Sequence, residues 1–185
     1  MQGAAGAAGG GTFIDDVFST YLYKGLGTTA NTIVNGLDLS ASGPGGMVWI
    51  KNRTESHEHV ICDTVRGVDK NLQSNSSSAE LSQAAGSINY FNDNGFGFNN
   101  DWSPSTNKAN DYASWTFLKQ EGFFDIVTYT GNGSNRTISH SLNSIPGMIL
   151  VKRRDTGDSW FTYHRSLGST KRMYLDATSA SVTTS

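Results

Sequence analysis

Short apolar or alternating runs, broken by Gly, Asn, Ser or Pro, recur along almost the whole chain. In GGMVWIKNR (Gly45 to Arg53), strand alternation puts Met47 and Trp49 on one side and Val48 and Ile50 on the other. Both sides are apolar, which predicts an interior strand covered on each face. HVICDTV (His59 to Val65) reads as a second strand. SINYFNDNGFGF (Ser87 to Phe98) reads as a strand, an Asn/Gly turn and an aromatic stretch. DYASWTFLK (Asp111 to Lys119) lines up Ala113, Trp115 and Phe117 on one face. FFDIVTYTGNG (Phe123 to Gly133), GMILVKRR (Gly147 to Arg154), SWFTYHR (Ser159 to Arg165) and KRMYLDA (Lys171 to Ala177) complete the predicted strands. Two short stretches, Asp15 to Tyr23 and Ser76 to Ala84, come nearest to helix, the second with a serine to cap it. The set predicts an all-β protein of sandwich type, jelly-roll or lectin-like.

The sharpest feature is an internal repeat. Phe18, Gly25 and Gly27 match Phe124, Gly131 and Gly133 at an offset of 106 residues. Thr32, Ile33 and Leu37 match Thr137, Ile138 and Leu142 at 105. Gly46, Met47, Lys51 and Arg53 match Gly147, Met148, Lys152 and Arg154 at 101, and so do Gly67 with Gly168 and Lys70 with Lys171. The offset shortens only in Gly/Ser/Asn-rich stretches, where loop length is free to vary. The expected organisation is a leader over residues 1–12, a first β-rich module over 13–122, and the first part of a related module over 123–185. A counterpart of Trp115 would fall 31 residues beyond Ser185. A sandwich short of strands has bare edges and apolar faces. The expectation is therefore a longer protein, with strands supplied by a partner as the alternative.

Composition agrees with this reading. Charged residues make up 16% of the chain, against about 25% in an average soluble domain. Gly, Ser, Thr and Asn supply the polarity and suit turns and exposed strand faces. Aromatics at 11% provide material for a core. A net charge of -2 gives no signal for nucleic-acid binding. No apolar run reaches the roughly 18 residues of a membrane span, so no membrane insertion is expected. Cys62 is the only cysteine, which excludes an intrachain disulfide and reads as a small buried hydrophobe. MQGAAGAAGGG lacks the basic and apolar regions of a signal peptide and reads as a flexible or partner-bound arm.

Candidate chemistry is sparse. His57 and His59 would share one side of a strand and are the best metal hint. Their counterparts at 101 are Asp158 and Trp160, so the pair is not a property of the repeat. The carboxylates are scattered without a distinctive spacing, and neither a GxSxG elbow nor a phosphate loop is present. No catalytic residue and no cofactor is expected. Tyr90 and Trp102 lie among Asn and Asp, a mix suited to stacking on a sugar and bonding its hydroxyls. Lys51 and Arg53 recur as Lys152 and Arg154, which reads as strand-end charges carried into water or paired with Asp63 or Asp155, with a basic ligand patch as the alternative.

The series GGMVWIKNR, DTVRG, YFNDNGFGFNN, YASWTFLK and FFDIVTYTGNG, followed by TISHSLNSIPGMILVKRR and WFTYHRSLGSTK, resembles the repeated module of tail-fibre and virion structural proteins of marine bacteriophages, including cyanophages. The resemblance runs from about Phe13 onward. It implies a homotrimeric fibre in the virion tail, with an N-terminal part held by tail adaptor or nozzle proteins. The arm with Gly3, Gly10 and Phe13 would make that attachment, and distal parts would meet a host surface glycan. A carbohydrate-binding receptor-recognition module and a capsid decoration protein are the alternatives.

Overall fold

The computed structural model describes residues 12–99 and 103–183. Thirteen strands form among them: β1 Phe18–Lys24, β2 Asn31–Val34, β3 Gly46–Asn52, β4 Val60–Asp63, β5 Lys70–Gln73, β6 Leu81–Ser82, β7 Tyr90–Asn92, β8 Gly95–Phe98, β9 Asp111–Leu118, β10 Met148–Val151, β11 Phe161–His164, β12 Lys171–Tyr174 and β13 Val182–Thr183. They make an all-β protein of three antiparallel sheets. Their orders are β1-β9-β3-β4-β5-β6, β2-β8-β7 and β10-β11-β12-β13.

The two apolar faces of β3 each have a cover. β3 lies between β9 and β4, and its Val48 and Ile50 are fully buried. They share a core with Val60, Cys62 and Tyr112 of the six-stranded sheet and Ile33, Phe96 and Phe98 of the three-stranded one. In β8, GFGF sends both phenylalanines into this core, and the alternate position Gly97 lies under the Tyr90 ring of β7. On the opposite face of β3, Met47 and Trp49 join Ile61 and Leu72 in a second cluster with Leu150, Trp160 and Leu175. The four-stranded sheet thus docks on the outer face of the six-stranded one. The Trp160 indole N–H donates to the Gln73 carbonyl across this junction at 2.9 Å.

The repeat is visible in the backbone pairing. Met47 pairs with Asp63, Val48 with Cys62, Trp49 with Ile61 and Ile50 with Val60. Met148 pairs with His164, Ile149 with Tyr163, Leu150 with Thr162 and Val151 with Phe161, each number 101 higher. The β4–β5 and β5–β6 registers recur in β11–β12 and β12–β13 at the same offset. Gly67 and Gly168, at φ +90° and +78°, end equivalent turns.

Three local expectations are corrected. Asp15 to Tyr23 is not a helix. A single 3-10 turn at Ile14–Asp16 leads into β1, whose seven residues all pair with β9. Ser76 to Ala84 is not a helix either, because Leu81–Ser82 pairs with β5 and the Glu80 N–H donates to the Arg154 carbonyl at 2.9 Å. A helix of two turns has little stability of its own, so these longer-range bonds prevail. Phe123 to Gly133 forms no strand beyond one bridge between Gln120 and Phe124. Its counterpart β1 is held by β9, and the second copy has no counterpart of β9 among the described residues.

Candidate functional site

Residues 57 and 59 lie in irregular chain before β4, not on a strand, so alternation does not bring the two imidazoles to one side. The His57 ring Nε2 is 3.1 Å from a Glu55 carboxylate oxygen. That carboxylate also accepts from Lys108 at 2.9 and 3.0 Å and from the Asn110 amide at 2.9 Å. Lys108, Asn110 and His57, in that order, lower the Glu55 pKa to about 2. Burial, and then the Lys51 charge, pushes the His59 imidazole below its ordinary value. The corner is a polar knot that ties the end of β3 to the loop before β9. Among the described residues, no three His, Cys, Asp or Glu side chains come together as a metal site.

Tyr90 stands half-buried on β7, with its ring over Gly97 and its hydroxyl 2.7 Å from the Thr32 hydroxyl. An aromatic laid across a cross-strand glycine fills the space that the missing side chain leaves. Trp102, the other glycan candidate, lies outside the described residues, as do Gly3 and Gly10 of the arm. Phe13 is 73% exposed, and its N–H donates to the Asp16 carboxylate at 3.0 Å. With Ile14, 61% exposed, it forms an apolar step ahead of the buried Val17.

Two features escape the sequence reading. The first is an ionic chain between sheets. The Arg66 side chain, 3% exposed, pairs with Asp63 and with Glu80. Glu80 also receives a bidentate bond from Arg154, at 3.0 and 2.8 Å. Burial alone would raise the Glu80 pKa, but the bonds from Arg154 and Arg66 outweigh it and hold the carboxyl below its ordinary value. Of the two carboxylates considered for Arg154 in the sequence, Asp155 is taken by Arg153, and Arg154 pairs with Glu80. The recurring arginine therefore links the second sheet to the first. Nothing in the spacing of Arg66, Glu80 and Arg154 announces this, because the link depends on how the sheets dock.

The second is a cleft of about 250 Å³ beside β5, between β6 and the 103–105 loop. Its walls carry the amides of Asn71, Gln73 and Gln83 and the hydroxyls of Ser103 and Ser105, with Leu81 and Pro104 as apolar surface. Among the described residues, no charged side chain lines it. The Asn71 amide nitrogen donates to the Gly86 carbonyl at 3.2 Å and to Ser87 Oγ at 2.8 Å. Its oxygen has no partner among the described residues. Uncharged donors and acceptors beside a small apolar surface suit a polyol better than an ion or a flat aromatic.

No helix among the described residues is long and apolar enough to cross a membrane. No curated protein and no solved structure matches the chain. Residues 15–185, and with them all three sheets, match the model of a family described as a domain of unknown function, DUF7483, and the chain belongs to that family.

Proposed function

We propose that the chain is a non-enzymatic structural segment of a bacteriophage tail fibre, built of tandem β-sandwich modules of jelly-roll or lectin-like type. The observation that carries this reading is the repeated register. The same four strands recur at 101 residues with the same pairing, and the two copies are joined through an apolar cluster and an ionic chain. Repetition with fixed packing between copies makes a stiff body whose length is set by copy number. In this reading three chains associate around a common axis, and the arm with Phe13 lies against a tail adaptor or nozzle protein. The virion tail is the location. Light scattering of the recombinant chain tests the trimer, and a low-resolution map of the particle tests the location. A monomeric chain with the arm free in assembled particles would refute the reading.

The cleft at Asn71 favours a second reading, a carbohydrate-binding module for host recognition. A glycan array with the wild type, Gln83→Ala and Tyr90→Ala decides between them. Specific binding lost on Gln83→Ala assigns the cleft, and loss confined to Tyr90→Ala assigns the β7 surface instead. A blank array leaves the structural reading alone.

A further inference from the structure

β3 and β10 are equivalent strands in unequal surroundings. β3 has β9 on one edge and β4 on the other, whereas among the described residues β10 has only β11. The backbone bonds identify the edge left open. The Thr64 N–H donates to the Gly46 carbonyl at 3.0 Å, and the Arg165 N–H donates to the Gly147 carbonyl at 2.9 Å. On the far side of β3, the Lys119 N–H donates to the Gly45 carbonyl at 2.9 Å. Successive residues of a strand turn their polar groups to opposite edges. Met47, Trp49 and Lys51 therefore face β9, and their counterparts Met148, Leu150 and Lys152 face an edge on which no described strand pairs.

The sheet face next to this edge is also less covered than its equivalent on β3. Val48 is 0% exposed beneath the three-stranded sheet, while its counterpart Ile149 is 42% exposed. Phe161 and Tyr174 lie on the same face with their rings in contact, and the Arg172 guanidinium is laid across them at 4.8 and 5.7 Å. β1, also an edge strand, is an edge in its own copy by design of the fold. β10 is the strand whose equivalent is interior.

We infer that the free edge of β10 is a strand-acceptor site, and that its occupant is a β9-type strand, of the chemistry of Asp111–Leu118. The chemistry of that strand is legible in β9. Ala113, Trp115 and Phe117 turn their N–H groups towards β3, with Trp115 opposite Trp49 and Phe117 opposite Met47. On β10 the same strand lies antiparallel, its Trp opposite Leu150 and its Phe opposite Met148. Strand addition of this kind takes its affinity from main-chain bonds and its register from alternate side chains. The inference does not rest on the fibre reading, since it concerns only the pairing of β10.

The probe is a labelled synthetic peptide, DYASWTFLK, added to the full chain. Fluorescence anisotropy should show saturable one-to-one binding, and hydrogen exchange should slow at the Met148 and Leu150 amides. Methylating the backbone nitrogen of the peptide's tryptophan removes a ladder bond and should weaken binding by about tenfold or more. Met148→Pro should do the same. Its pairing with β11 is spared, because the lost N–H faces the open edge. No saturable binding, protection that maps to another edge, or indifference to the methylated nitrogen would overturn the inference. So would peptide-independent self-association abolished by Met148→Pro, which would put a second copy on the edge instead.

Discussion

Trp160 holds the four-stranded sheet to the rest of the molecule, and its removal separates docking from folding. The indole is 5% exposed and lies among Ile61, Leu72, Met47, Trp49, Leu150 and Leu175. Trp160→Ala should cost about 3–5 kcal/mol for the lost packing and the cavity. The Gln73 carbonyl also loses its indole donor, and a buried carbonyl left bare costs about 1–3 kcal/mol more. Trp160→Phe keeps most of the apolar contact and removes the donor, so its cost should stay near the second figure alone. The first core is independent of this cluster: Val48, Ile50, Phe96 and Phe98 bury themselves against one another without Trp160. The loss should therefore fall on β10 to β13. Native-state hydrogen exchange should show those amides exchanging about a hundredfold faster or more in Trp160→Ala, with β3, β8 and β9 nearly unchanged. An equal loss of protection in both regions would refute the division into two cores. Wild-type protection of β11 in the alanine variant would refute the assignment of Trp160 as the anchor.

Other expectations follow from single contacts. Gly97→Ala would drive a methyl group into the Tyr90 ring and should cost about 1–3 kcal/mol by urea denaturation; with Tyr90→Ala added, the double variant should be more stable than the sum of the two costs predicts. Burial pushes the Cys62 thiol up to about 12, so a thiol reagent at mildly alkaline pH should label the unfolded chain and spare the native one. The Glu80 carboxyl is held below its ordinary value in the folded chain, so its contribution is full above that ordinary value and is lost as pH falls through the folded one. Wild type should accordingly exceed Glu80→Gln in stability near neutral pH, and the gap should narrow on acidification below about pH 4.3. A gap that widened in acid would reverse the sign of the linkage.

Much of the all-β architecture is legible because alternation speaks directly of burial. MVWI reports two covered faces, and β3 has them. The constant offset of 101 likewise survives into the register, since equivalent turns at Gly67 and Gly168 fix where each following strand begins. Asp15 to Tyr23 misleads because its apolar positions fit either period over so short a span; seven pairings with β9 decide for strand. β2, β5, β6 and β13 go unread because two to four residues carry too little pattern. The candidate sites fare differently. His57 and His59 look paired only while a strand is assumed. The Arg66–Glu80–Arg154 chain and the Asn71 cleft are assembled from residues far apart in sequence, with no local signature.

The unequal fates of the two repeat copies show what makes a strand here. FSTYLYK forms β1 along its whole length, whereas its counterpart FDIVTYT forms no strand, although Ile, Val, Thr and Tyr give it at least as much β preference. Val127 and Tyr129 are left 42% and 53% exposed. The same holds for β2 and its counterpart at Thr137 and Ile138. Among the described residues β1 pairs only with β9, and β2 only with β8; both partners come late in the first copy, and neither has a counterpart among the described residues of the second. β3 to β6 pair among themselves, and their counterparts β10 to β13 form in full register. Strand formation in this fold therefore follows the partner rather than the segment. A β9-type strand placed on β10 would give residues 124–130 an edge equivalent to the one that orders β1. Slowed exchange at Val127 and Tyr129 on adding the peptide, beyond that at Met148 and Leu150, would be the sign that completion propagates from one edge to the next.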